Sequence, residues 1–145
     1  MKEILIRLFC AFIGSYGFSL LFGLRKRHLL LASLGGLFSF AVYLGVDALA
    51  HNAFLATLLA SVFAVFYAEV LARLRKCPAT LFVIPAIIPL VPGGSLYYTM
   101  SNAIRGDLPE AVTYGRQTLL AALAIAAGLS FVETLWQLAA KKEGR

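Results

Sequence analysis

The sequence predicts an all-α integral membrane protein with about five transmembrane helices, the fourth of which is broken. Apolar residues make up 61% of the 145-residue chain and charged residues only 14%, whereas a soluble domain of this length needs more surface charge. The apolar residues form long runs with basic clusters between them. Prolines and glycines interrupt the fourth run, which a continuous helix does not accommodate.

The first three helices follow from apolar runs near the length that crosses a bilayer. They are expected at residues 4–24, 29–46 and 53–72. No small-residue cleavage pattern precedes the basic residues 25–27, so the first run is predicted to be a retained helix and not a signal peptide.

The fourth span, residues 78–104, is expected to consist of two half-helices. Its interruption contains Pro85, Pro89, Pro92, Gly93 and Gly94. Each interior proline removes a backbone hydrogen bond and clashes with the preceding turn. The stretches on either side can each form about 16 Å of helix, so they are predicted to meet near mid-membrane. Irregular backbone is tolerated there only where protein or a water-filled cavity surrounds it.

The last span is expected at residues 117–140, and the basic residues predict the orientation of all five. Most of the lysines and arginines fall on one side of the alternating spans, at Arg25, Lys26, Arg27, Arg73, Arg75, Lys76, Lys141, Lys142 and Arg145. The positive-inside rule assigns this side to the cytoplasm, with the N-terminus outside and the C-terminus inside. Residues 1–145 are interpreted as a single transmembrane domain.

Small side chains recur every fourth residue on three of the spans. These stripes are Ser15, Ser19 and Gly23; Ala56, Ala60, Ala64, Ala68 and Ala72; and Ala122, Ala126, Ser130 and Thr134. Small residues let helix backbones approach closely in lipid. The stripes predict tight packing within the chain and leave room for contact with a partner protein.

The helix after the break carries a polar edge. Ser95, Thr99 and Asn102 share one face, and the first N–H groups of this helix, around Gly94, lack acceptors and carry partial positive charge. The set predicted to bind a carboxylate-bearing solute is Pro89, Pro92, Gly93, Gly94, Ser95, Thr99 and Asn102. The alternative is a proline-kinked structural helix whose serine and threonine bond their own backbone.

One ionisable residue stands out within the spans. Glu133 lies about two turns inside the last helix without a neighbouring cation, which makes it a candidate proton relay. No nucleophile–base arrangement, phosphate loop or metal-ligand spacing is evident, so neither an enzyme nor a cofactor or metal is expected. Basic loops facing lipid explain the net charge of +6 better than nucleic-acid binding does.

The segment FLATLLASVFAVFYAEVLARLRKCPATLFVIPAIIPLVPGGSLYYTM, followed by GDLPEAV and an Ala/Leu-rich helix, resembles the small membrane component of the threonine/serine exporter (ThrE-type) family. The resemblance covers residues 12–133. Pro85, Pro89, Pro92, Gly93 and Gly94 carry over as the family's motif.

The resemblance implies a subunit of a secondary transporter in the bacterial cytoplasmic membrane. It implies proton-coupled export of threonine and serine together with a larger component that has a soluble region and membrane helices. Three alternatives stay open: a dicarboxylate (succinate-type) exporter subunit, a homo-oligomer, and a non-transporting membrane scaffold.

Overall fold

A computed structural model describes residues 2–142 and shows a helical bundle without strands in that range. The helices are α1 (Lys2–Leu21), α2 (Lys26–Ala50), α3 (Ala53–Arg75), α4 (Thr80–Ile87), a 3-10 turn (Ile88–Leu90), α5 (Gly93–Arg105) and α6 (Leu108–Lys142). By length and composition, α1, α2, α3 and α6 can each cross a membrane. The segment through α4, the 3-10 turn and α5, bent by 52°, passes the same test as a pair and is the candidate fifth span. The predicted all-α membrane fold with a broken fourth span is therefore confirmed, while Arg145 lies outside the described residues.

The last helix begins earlier than predicted, at Leu108 instead of residue 117. Asp107 precedes it, and its Oδ1 accepts a hydrogen bond from the Glu110 N–H at 3.4 Å. Pro109 and Glu110 in the first turn are typical of a helix start. The 35 residues of α6 extend for about 52 Å, which exceeds a hydrocarbon core of about 30 Å.

The third helix forms the centre of the bundle. It packs against α2, α4 and α6, and α1 packs mainly against α2. The predicted small-residue stripe on α3 is confirmed as a packing face, because every member is buried: Ala56, Ala60, Ala64, Ala68 and Ala72. Ser15 and Ser19 on α1 are also fully buried, whereas Gly23 lies exposed beyond the end of α1 with a φ of 66°.

The stripe predicted on α6 does not pack within the chain. Its members are all exposed: Ala122, Ala126, Ser130 and Thr134. The face of α6 that meets α3 instead carries Ala124, Gly128 and Val132, which are buried. A Cβ on Gly128 would lie 3.0 Å from Ser61 Cβ, so this glycine sets the close approach of α6 to α3. The four-residue spacing predicted one stripe of small residues, but a long helix has several such stripes. Only the contacts between helices show which stripe packs within the chain.

Side chains from α1 and α2 satisfy the backbone of the broken span. Pro89 has no N–H, so the Pro85 carbonyl one turn earlier loses its helical donor. Ser15 Oγ donates to this carbonyl at 2.9 Å, and Ser39 Oγ donates to the next one, Ala86 O, at 2.6 Å. Both serines are fully buried. The Pro85 and Ala86 carbonyls at the start of the irregular backbone are therefore bonded within the protein, as apolar surroundings require.

Replacing Ser15 by alanine is expected to destabilise the chain more than replacing Ser33. The first change leaves the Pro85 carbonyl without a donor, at a cost of about 1–3 kcal/mol. Ser33 is equally buried, but its Oγ donates at 2.7 Å to Leu29 O within its own helix, where the carbonyl has a backbone donor as well. Thermal unfolding of the two variants in the same detergent measures the difference, and equal midpoints would contradict this role for Ser15.

Candidate functional site

A cavity of about 400 Å³ lies beside the helix break, the segment of residues 88–92 between α4 and α5. Its walls come from five parts of the fold: α2, the start of α3, the break itself, the start of α5, and the middle of α6. Apolar groups form much of the surface, namely Phe40, Ala53, Phe54, Pro89, Leu90, Val91, Pro92, Leu120 and Ala121. Small-molecule sites are commonly cavities of about 300–1,000 Å³ with mainly apolar walls, and this cavity is of that kind.

Polar groups enter the cavity from each of the surrounding helices. They are Tyr43 of α2, Thr57 of α3, Ser95 of α5 and Gln117 of α6. Thr57 Oγ1 donates to Ala53 O at 2.7 Å, so its hydroxyl proton is already used and its oxygen can still accept. Hydroxyl and amide groups orient a solute by hydrogen bonding without placing a formal charge in the membrane.

The first turn of α5 borders the cavity through Pro92 and Ser95. The Gly93 N–H donates to Val91 O at 2.8 Å, and the Leu96 N–H donates to Pro92 O at 3.1 Å. The N–H groups of Gly94 and Ser95 are then those of the first turn without an acceptor inside the helix. The start of α5 therefore has partial positive charge next to the cavity.

The cavity lies closer to one end of the bundle than to its middle. Thr57 is about 24 Å along α3 from Arg73, and Leu120 is about 24 Å along α6 from Trp136. Arg73 and Trp136 are in contact, since the Arg73 guanidinium lies 4.1 Å from the centre of the indole ring. The cavity and the basic end of α3 are therefore separated by most of the length of that helix.

The other predicted binding residues lie outside the cavity lining. Gly93 and Gly94 are exposed, and a Cβ on either would meet nothing within 4 Å. Thr99 and Asn102 are half-buried, and α5 packs mainly on α6. Thr99 Oγ1 donates to Ser95 O at 2.7 Å.

The face of α5 with Ser95, Thr99 and Asn102 therefore turns toward α6. A Cβ on Gly115 would lie 3.4 Å from Thr99 Cγ2, which is ordinary contact between the two helices. The opposite face of α5 exposes apolar side chains, namely Leu96, Tyr97, Met100 and Ile104. The polar edge is therefore mainly a contact surface between α5 and α6. Of the predicted binding residues, only Pro89, Pro92 and Ser95 line the cavity.

Glu133 is exposed on α6 and does not line the cavity. It belongs to the outward surface of α6 that also carries Ser130 and Thr134, whose Oγ1 donates to Ser130 O at 2.7 Å. Among the described residues, no group of three or more histidines, cysteines, aspartates or glutamates lies close enough to hold a metal ion.

Nothing in the sequence pattern pointed to Tyr43, Thr57 or Gln117 as cavity residues. Each was a single polar residue within or at the end of an apolar run, which is an observable but unspecific signal. Their common position follows from the packing of three helices around the break, and none of those contacts is local in sequence.

A family model described as "Threonine/Serine exporter, ThrE" matches residues 7–135. The match includes the break and every residue that lines the cavity. No curated protein and no solved structure matches the chain.

Proposed function

The chain belongs to the threonine/serine exporter family, and from this premise we propose that it is one half of a proton-coupled secondary transporter that exports threonine, serine or a similar small amino acid. Membership of this family and four to five candidate spans make the chain a multi-pass membrane component of an exporter. The observation that supports solute binding by this chain is the cavity beside the helix break, with polar groups from four helices around it.

The proposed binding mode has the substrate carboxylate at the start of α5. The Ser95 N–H at the cavity wall and the preceding Gly94 N–H are the free donors of this turn, and the helix dipole adds partial positive charge. An arginine for the same purpose would require burial of a full charge in lipid. Ser95 lines the cavity at this turn, and its hydroxyl is proposed to complete the carboxylate site.

The rest of the substrate is proposed to contact the middle of α6 and the start of α3. Gln117 can accept from the substrate ammonium group or donate to its hydroxyl, and Thr57 Oγ1 can accept a further hydrogen bond. Thr99 and Asn102 support the site indirectly by holding α5 against α6. A cavity of about 400 Å³ with mainly apolar walls favours a small solute over a peptide.

A partner is proposed for the outward surface of α6. Five spans form a thin bundle, and the small residues Ala122, Ala126, Ser130 and Thr134 offer a close-packing surface that this chain leaves free. The proposed occupant is the larger component of the exporter. Glu133 on the same surface is the proposed proton carrier, placed where the two components meet and sheltered from lipid by that contact.

The proposed setting is the bacterial cytoplasmic membrane, with the N-terminus outside and the basic clusters inside. Cys77 follows Lys76 at the basic end of α3 and is half-buried. In a Cys10→Ala background, a membrane-impermeant thiol reagent should therefore leave intact cells unlabelled and label Cys77 in inverted vesicles. Labelling of Cys77 from outside intact cells would reverse the orientation.

Counterflow of labelled threonine tests the proposed function. Three preparations are compared in vesicles: this chain alone, the larger component alone, and the two together. Uptake against an internal threonine pool is expected only when both are present. Exchange of succinate but not threonine would indicate a dicarboxylate exporter, and exchange by the larger component alone would indicate that this chain is a scaffold.

A further inference from the structure

A second, almost wholly apolar groove lies between α3 and α6, well away from the cavity at the break. It has a volume of about 460 Å³. Leu59, Val62, Phe63 and Phe66 line it from α3, and Phe131, Val132, Leu135, Trp136 and Ala139 line it from α6. The α6 portion extends for about 12 Å along the helix axis. A groove of this length and character fits part of a lipid acyl chain.

One end of the groove is marked by a tryptophan and an arginine. The Trp136 ring stacks on Phe66 with centroids 6.1 Å apart and planes 7° apart. The Arg73 guanidinium lies over the same ring, 4.1 Å from its centre. Tryptophan and arginine in such contact are typical of the boundary between hydrocarbon and headgroups.

Positive charge is concentrated beyond this end of the groove. The C-terminal end of α3 carries Arg73, Arg75 and Lys76. On α6, Lys141 lies two positions after the last groove residue. All four side chains are exposed. Glu69, half-buried one turn before Arg73, offsets part of this charge. Glu133 is on the outward surface of α6 and does not line the groove. The groove therefore combines apolar walls with a cationic end.

We propose that this groove binds one anionic phospholipid of the adjacent leaflet. An acyl chain lies against Phe63, Phe131 and Leu135, and the phosphate accepts hydrogen bonds from Arg73 and Lys141. Arginine presents several donors in a planar fork that suits a phosphate. The contact also holds α3 against α6 at the end where the buried packing of Gly128 on Ser61 has ended. This site is independent of the substrate cavity and of the proposed partner surface.

Trp136 provides a direct measurement, because it is the only tryptophan in the chain. The full chain is reconstituted in phosphatidylcholine vesicles with a small, fixed fraction of a lipid brominated on its acyl chains. Bromine quenches the indole on contact. Brominated phosphatidylglycerol is expected to occupy the groove about fivefold more effectively than brominated phosphatidylcholine, the factor that one basic side chain contributes at an anionic surface. Equal quenching by the two lipids would overturn the proposal.

Two arginine variants separate a defined site from general attraction to charge. Arg73→Gln should abolish the preference for phosphatidylglycerol, with quenching expressed relative to the fluorescence of the variant without bromine. Arg105→Gln, at the exposed end of α5, should retain it. Loss of the preference in both variants, or in neither, would show that Arg73 does not form a lipid site. The comparison of the two lipids in the unmodified chain stands even if a variant fails to insert.

Discussion

Replacing Gly36 by leucine is expected to prevent assembly of the folded bundle, whereas the same change at Gly45 of the same helix should be tolerated. A Cβ on Gly36 would overlap Ser15 Oγ, lie 2.6 Å from Ser15 Cβ and lie 3.0 Å from Pro85 O. The last of these is backbone, so relief requires α4 to move. Overpacking alone costs about 1–3 kcal/mol, and displacement of Ser15 also removes its hydrogen bond to Pro85.

Gly45 is a matched control, because it is exposed and a Cβ there would meet nothing within 4 Å. Neither glycine has a positive φ, so backbone strain does not distinguish them. The measurement is the fraction of protein that elutes as a single species after detergent extraction, together with its thermal unfolding midpoint. A Gly36→Leu protein with the yield and midpoint of Gly45→Leu would show that α1, α2 and α4 do not meet as closely as described.

The number of spans and the break were predictable because both depend on local properties of the chain. Apolar length identifies a transmembrane helix, and prolines three or four residues apart interrupt one wherever they occur. The start of α6 was also a local signal, since Asp107, Pro109 and Glu110 are typical of a helix N-terminus. It was missed because hydrophobicity alone defined the beginning of that span, and the first turns of α6 are polar.

The surroundings of the break were not predictable from the chain alone. A need for donors at the freed carbonyls follows from the prolines, but Ser15 lies 70 residues from Pro85 in sequence. The same limit applies to the polar edge of α5. Periodicity showed that Ser95, Thr99 and Asn102 share a face. Only the packing of α5 on α6 shows that this face is a contact surface between the two helices. The periodicity of a single helix gives the relative directions of its side chains, but it does not show which neighbouring helix or cavity each side chain contacts.

Two interpretations of the polar edge were open from the sequence, and the structure divides the residues between them. Thr99 bonds the backbone of its own helix, as the structural alternative expects. Ser95 is one turn earlier, where α5 has just begun and the cavity reaches the helix. The chemistry proposed for solute binding therefore depends on Ser95 and the adjacent N–H groups more than on the remainder of the edge.

Replacing Ser95 by leucine is expected to abolish threonine counterflow in the reconstituted two-component system. The larger side chain would occupy the part of the cavity beside Pro92, remove the hydroxyl and cover the free N–H groups of the first turn of α5. Ser95→Ala keeps the space and removes a single hydrogen bond, so it should weaken apparent affinity by about fivefold, equivalent to about 1 kcal/mol. A graded response of this kind is what direct contact with the solute predicts.

Ser101→Leu is the control for this change, since Ser101 is also half-buried on α5 but does not line the cavity. It should insert, bind the partner and transport like the unmodified chain. Insertion and partner binding are measured for all three variants by co-purification, so that loss of counterflow in Ser95→Leu can be assigned to the site. If Ser95→Leu exchanges threonine at the normal rate, the solute does not bind at the start of α5. The break would then serve only to direct α5 along α6, because a leucine at position 95 and a carboxylate at the first turn of α5 would occupy the same space.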